Sequence, residues 1–228
     1  MSREVLILRA WPGAKESAGR ALALGLEPTV APLFTIVRRY WTPPDAARFD
    51  AVMLTSAYAA HLGGPGLAAF RRLPAFAVGE ATAAAAAAAG FADVRTGPAN
   101  AAALARMIAA AGVTAAFHPC GADVAAVPNP GFEIESAIVY AAEPVGALPE
   151  AAAAALRRDA LALLHSPRAG AHFAALAAGF RLTTRIAAIS DAAAAAAGPG
   201  WRECHVAPIP RDHALLELAA KLCKNART

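Results

Sequence analysis

One phrase occurs twice in this chain, and its spacing restricts the fold more than any other feature. The first copy is an apolar run, Val52 to Leu54, ending in the hydroxylic pair Thr55-Ser56. A helical stretch follows, then a second run, Phe76 to Val78, and Gly79-Glu80-Ala81-Thr82 opening an alanine-rich helix. In the second copy Leu161 to Leu164 lead into His165-Ser166-Pro167, a helical stretch intervenes, and Ile186 to Ile189 lead to Ser190-Asp191 before another alanine run. Ser56 stands 23 residues before Gly79, and Ser166 stands 24 before Ser190. Short apolar runs alternating with helical stretches at a matched repeat predict two similar α/β units with parallel sheets. Each offers strand-end turns of Gly, Ser or Thr at helix N-termini, where backbone N–H groups lack intrahelical partners and attract anions.

The length of 228 residues suits two units of about 100 residues each. Hydrophobic residues make up 57% of the chain, but much of that is alanine, so stretches such as Ala81 to Ala89 fall short of a membrane span, which needs ~20 strongly apolar residues. Met1-Ser2-Arg3-Glu4 runs straight into the apolar Val5 to Leu8 without a cleavage-site pattern, and the expected location is cytoplasmic. The three cysteines, Cys120, Cys204 and Cys223, have unrelated spacings and read as reduced thiols. The net charge of +4 is carried by basic residues scattered singly or in pairs, which argues against nucleic acid as a partner. It suits a small acidic ligand, because a few arginines at a cleft mouth steer carboxylates.

Along the chain, the strand Val5 to Leu8 precedes Arg9, Pro12-Gly13 and a helix from Lys15 to Leu24 closed by Gly25. Thr29 to Val37 reads as extended, and Pro43-Pro44 breaks the pattern. Strict alternation then follows: strand Ala51 to Leu54, helix Ala57 to Leu62, strand Ala75 to Val78, helix Ala81 to Ala89, strand Asp93 to Arg95, helix Ala101 to Ala111, and strand Ala115 to His118 ending at Pro119-Cys120-Gly121. Residues 122 to 132, with Pro128-Asn129-Pro130-Gly131, read as a looped excursion, and Glu133 to Ala141 is extended again. Leu33 to Tyr40 and Ile134 to Ala141 are expected to pair as a two-stranded hinge. Residues 1–40 and 141–228 then form a discontinuous first domain, with 41–140 inserted as the second.

Standard catalytic signatures are largely missing. Gly64-Pro65-Gly66 lies in a Gly-x-Gly-x-x-Ala match that follows a helix instead of a strand, so it is not a dinucleotide loop. His118, His165, His172, His205 and His213 have no metal-pair spacing and read as surface or second-layer residues. Gly79-Glu80-Ala81-Thr82 suits either an anion site or an unoccupied first helical turn, and Thr55-Ser56 and His165-Ser166 carry the same two readings. Tyr140 ends an extended segment, as a packed rim residue or as a proton donor.

Six segments, in order, match a family: Leu54-Thr55-Ser56-Ala57, Val78-Gly79-Glu80-Ala81-Thr82-Ala83, Pro119-Cys120-Gly121, Ile134 to Tyr140, His165-Ser166-Pro167 and Ala188-Ile189-Ser190-Asp191. In these the chain resembles the uroporphyrinogen-III synthase family over nearly its whole length. The resemblance implies two flavodoxin-like parallel-sheet domains joined by a two-stranded β linker, with the active site in the cleft. It implies a monomeric lyase that dehydrates hydroxymethylbilane, a linear tetrapyrrole with eight carboxylates, and closes it with inversion of ring D, using no metal and no cofactor. Loss of the hydroxyl leaves a cation that rearranges through a spirocyclic species, so the protein's tasks are conformational control and charge stabilisation.

By the same resemblance, carboxylates are held by Arg9, Thr55, Ser56, Gly79, Glu80, Ala81, Thr82, Cys120, Gly121, His165, Ser166, Pro167, Ser190 and Asp191. Tyr140 matches the family's candidate for assisting hydroxide departure. A phenol with an ordinary pKa of about 10 is protonated at neutral pH and can donate. This chain departs from the pattern at Ala57, where many relatives carry asparagine, at Ala193, where many carry threonine, and at Pro128 to Gly131, which replaces part of a helix. The competing readings are a two-lobed binding module closing on an acidic ligand, which would release no product, and a nucleotide-dependent transferase, for which Arg9-Ala10-Trp11-Pro12-Gly13 is not a suitable loop.

Overall fold

The computed structural model describes residues 3–98, 100–124, 127 and 130–225. The chain divides into two compact units, Met1–Thr35 with Glu143–Thr228, and Ile36–Ala142.

The first unit begins with β1 (Glu4–Ile7), α1 (Gly13–Ala23) and β2 (Glu27–Val30). It is completed by α5 (Glu150–Arg157), β9 (Leu161–Leu164), α6 (Pro167–Leu176), β10 (Arg185–Ala188), α7 (Asp191–Ala197), β11 (Glu203–Val206) and α8 (Asp212–Asn225). Its sheet has the order β11-β10-β9-β1-β2, with every pair parallel. Helices cover both faces of a parallel sheet, so its central strands are continuous apolar runs and not alternating ones. All four residues of both β1 and β9 are buried. Leu6, Leu8, Leu164 and Phe173 pack on one face; Val5, Ile7, Leu163 and Leu215 pack on the other. Numbered within the unit, the strand order is 2-1-3-4-5, the flavodoxin-like arrangement.

The second unit contains β3 (Phe34–Arg38, which starts in the first unit), β4 (Ala51–Leu54), α2 (Ala57–Leu62), β5 (Ala75–Val78), α3 (Gly79–Ala88), β6 (Val94–Gly97), α4 (Ala101–Ala110), β7 (Ala115–Gly121) and β8 (Glu133–Pro144). The sheet runs β3-β8-β7-β4-β5-β6, with β8 to β6 parallel. Place for place, β8-β7-β4-β5-β6 corresponds to β2-β1-β9-β10-β11, the same arrangement entered at a different strand. The repeated phrase of the sequence is therefore the third and fourth sheet position of each unit, β4 with β5 and β9 with β10. The core of the second unit is aromatic, with Phe70 and Phe117 stacked at 4.2 Å and Phe49 and Trp41 beside them.

Three elements differ from the reading of the sequence alone. Thr29 to Val37 is not one extended segment: β2 and β3 are separate strands in different sheets, parted at Ala31-Pro32-Leu33, where proline cannot donate to a ladder. The strand expected to end at His118 runs on through Pro119-Cys120-Gly121 as the end of β7, paired with β8 as far as Gly121↔Tyr140. The ladder to β4 covers Ala116 and Phe117, so Pro119, which has no N–H to donate, lies beyond it. The second extended segment neighbours the first as expected, β8 beside β3, but is more than a hinge strand, because it also pairs with β7 from Glu133 to Tyr140. Within the excursion at 122–132, Pro128 and Asn129 lie outside the described residues. No helix among the described residues is long and apolar enough to cross a membrane.

Candidate active site

In open parallel sheets, ligands bind beyond the carboxyl ends of the strands, where the strand order reverses. That point lies between β7 and β4 in the second unit and between β1 and β9 in the first. Thr55-Ser56 and Gly121 stand at the former, Arg9 and His165-Ser166 at the latter.

In the second unit a cavity of about 420 Å³ opens at this point, lined by Thr55, Ser56, Gly121, Asp123 and Tyr140 among others. Ser56 caps α2, its Oγ accepting the Tyr58 N–H at 3.2 Å, which leaves its own hydroxyl proton available to an anion. Gly121 is set by space: a Cβ there would lie 2.7 Å from Cε2 and Cζ of Tyr140 and 2.9 Å from its hydroxyl oxygen. The glycine makes room for the phenol ring against the backbone of β7. A bulge between Cys120 and Gly121 places Tyr140 opposite Gly121, and the Ala122 N–H donates to the Tyr140 carbonyl at 3.0 Å. The Tyr58 ring packs against that of Tyr140, tilted, with centroids 5.6 Å apart. Burial, and then the neighbouring Tyr140, push the Tyr58 phenol upward, so it is protonated at neutral pH.

Behind Thr55 lies His118, which is 3% exposed and therefore not a surface histidine. Its Nε2 is 3.0 Å from the Thr55 Oγ1 and its Nδ1 is 3.4 Å from the Ser136 Oγ. Burial pushes the imidazole down to about 4, which keeps it neutral at pH 7. Cys120 is buried and its thiol is pushed up by that burial, so this position offers backbone and not sulfur.

Gly79 to Ala81 form the first turn of α3 itself, starting two residues earlier than the alanine run suggested. Gly79 has φ 69°, which favours glycine. Val78 supplies no side-chain cap, so the first N–H groups of α3 keep their anion-receptive character. Glu80 is exposed, Thr82 is buried, and these residues do not line the cavity beside Tyr140.

In the first unit Arg9 and His165 are joined through Asp212, which the sequence reading had not singled out. Asp212 receives Ser17 Oγ at 2.6 Å, Arg20 Nη1 at 2.6 Å, His165 Nε2 at 2.9 Å and Arg9 Nη1 at 3.5 Å. Burial works to raise the Asp212 carboxyl, but the hydrogen bonds from His165, Ser17 and Arg20 outweigh it and hold the group well below the ordinary carboxylate range. Asp212 and Glu16, the latter 3.6 Å from Arg20, together offset the two arginines. Ser166 and Ser190 cap α6 and α7, accepting the Ala169 and Ala193 N–H groups, with Pro167 and Asp191 as the first helical residues. Among the described residues no group of three or more His, Cys, Asp and Glu is placed to hold a metal.

The fold and these strand-end sites define a class: an α/β protein of two flavodoxin-like sheets whose switch points carry hydroxyls, helix N-termini and arginine. The sequence profile described as Uroporphyrinogen-III synthase HemD matches residues 15–217. The chain belongs to the uroporphyrinogen-III synthase family. The crystal structure of uroporphyrinogen-III synthetase from Helicobacter pylori 26695 aligns with TM-score 0.63 and 18% identity, covering 97% of this chain and 100% of that one. The wild-type uroporphyrinogen III synthase of the extremely thermophilic bacterium Thermus thermophilus aligns with TM-score 0.42 and 16% identity, covering 99% of each. No curated protein sequence matches the chain.

Proposed function

We propose that this chain catalyses the reaction of its family, the dehydration and closure of hydroxymethylbilane with inversion of ring D to give uroporphyrinogen III. The observation that carries the assignment of roles is the Tyr140 phenol, fixed on Gly121 and beside Thr55 and Ser56 in one cavity. The Tyr140 phenol donates to the departing hydroxyl, and the hydroxyls of Thr55 and Ser56 hold a carboxylate at a distance from it. The first turn of α3, with Thr82, and the capped starts of α6 and α7 are further carboxylate sites, with Arg9 supplying charge. Residues 1–40 with 141–228 and residues 41–140 are the two domains of a monomeric, cytoplasmic enzyme that works without metal, cofactor or nucleic acid.

The test is an assay of the purified protein with synthetic hydroxymethylbilane and separation of the isomers formed. Uncatalysed closure gives the unrearranged type I product, so type III reports control of ring D. Type I product alone from a folded preparation would refute the assignment and favour the binding-module reading.

A further inference from the structure

We propose that His118 is a positioning residue for substrate binding: its Nε2 holds the Thr55 hydroxyl so that Thr55 donates its proton into the cavity. The inference rests on the reading above that Thr55 binds a substrate carboxylate.

A neutral imidazole has one N–H and one lone pair, and His118 has a hydroxyl at each nitrogen. If Nδ1 donates to Ser136, Nε2 must accept from Thr55, which turns the only Thr55 proton inward and leaves lone pairs facing the cavity. If Ser136 donates to Nδ1, the Nε2–H donates to Thr55 and the Thr55 proton is free to meet an anion. A carboxylate selects the second arrangement, a relay of donors from Ser136 through His118 to Thr55. The scaffold fixes the three groups in place. His118 and Ser136 are register partners on β7 and β8, Thr55 directly follows β4, and the ring is 3% exposed, so water does not compete for it. A buried imidazole is costly unless its polar atoms are satisfied. Here both face hydroxyls, one of which lines the cavity.

The experiment is a double-mutant cycle read as KM and kcat for hydroxymethylbilane, with melting temperature measured alongside. Thr55→Val is expected to raise KM about ten- to a hundredfold, the size of a hydrogen bond to a charged group. His118→Leu should raise KM in the same way, and the double variant should be no worse than Thr55→Val alone. His118→Gln, whose amide nitrogen reaches the Nε2 position, should bring KM within about threefold of the unaltered protein, whereas the shorter His118→Asn should not. Additive KM effects in the double variant, or equal KM for His118→Gln and His118→Asn, would overturn the inference. The Gln and Asn comparison decides even if His118→Leu does not fold. An unchanged KM in Thr55→Val would overturn the Thr55 reading itself. A raised KM there, with all His118 variants unaffected, overturns only the role of His118.

Discussion

Gly121→Ala should separate activity from stability. The new Cβ would stand 2.7 Å from Cε2 and Cζ of Tyr140, whereas carbon atoms settle at about 3.5 to 4.0 Å, so the ring must retreat by about 0.8 Å or more. What moves is the far end of a side chain, so the overpacking cost should stay near the lower limit of the usual ~1–3 kcal/mol. Alanine also lowers the entropy of the unfolded chain, which offsets ~0.4–1 kcal/mol where the backbone accepts it. Gly121 has no positive φ, so the net change in stability should be within about 1 kcal/mol. A misplacement of about 1 Å at a reacting centre costs on the order of a hundredfold in rate. Single-turnover closure of hydroxymethylbilane should slow by about that factor, and the share of type I product should rise as spontaneous closure competes. Combining Gly121→Ala with Tyr140→Phe should be no slower than the slower single variant, since both remove the same placed phenol. A wild-type rate at wild-type melting temperature would show that the ring position on Gly121 does not matter. Strictly additive losses would show that Gly121 acts through something other than Tyr140.

Two further outcomes concern the first unit. Asp212→Asn should destabilise at pH 7 by about 1–3 kcal/mol, the scale of lost hydrogen bonds to a charged group. Because the folded carboxyl lies below its ordinary value, its contribution is present above the unfolded value of about 3.9 and is lost as pH falls through the folded one. The gap between variant and unaltered protein should therefore narrow below about pH 4, and a gap constant from pH 7 to pH 3 would refute this. Gly170→Ala places a Cβ 2.6 Å from the Ala193 carbonyl oxygen, a backbone atom of α7 that cannot swing away. The cost of about 1–3 kcal/mol should lower Tm by several degrees, and an unchanged Tm would refute the tight α6–α7 contact.

The sheet strands were readable because burial on both faces turns each into an uninterrupted apolar run, as in Val5 to Leu8 and Leu161 to Leu164. Helix ends were readable for a similar local reason: Gly25, with φ 73°, stands just beyond α1, and serines stand at the starts of α2, α6 and α7. Features decided by partners far along the chain were not readable. Whether Pro119 ends a strand depends on where the β4 ladder stops, and whether Thr29 to Val37 is one strand or two depends on which sheet receives each half. Local propensity carries neither fact.

The site divides along the same line. Ser56, Ser166 and Ser190 announce themselves because a cap is a local device, a hydroxyl bonded to an N–H two or three residues on. The groups proposed to orient the chemistry do not, because each meets its partners across the sheet. Gly121 meets Tyr140 only through a bulge in the β7–β8 pairing, and Asp212 reaches His165, Ser17 and Arg20 from the far end of the chain. His118 looks like any isolated histidine until register places Ser136 opposite it and the end of β4 brings Thr55 to its Nε2. Binding a flexible polyanion needs many donors, which caps and helix starts supply repeatedly. Directing one hydroxyl to leave needs a single group fixed to within about an ångström, and that precision comes from long-range packing. On the proposed reading, the repeated phrase supplies the sites for carboxylates, while the unrepeated Tyr140, packed against the glycine that makes room for its ring, is the group placed for the departing hydroxyl.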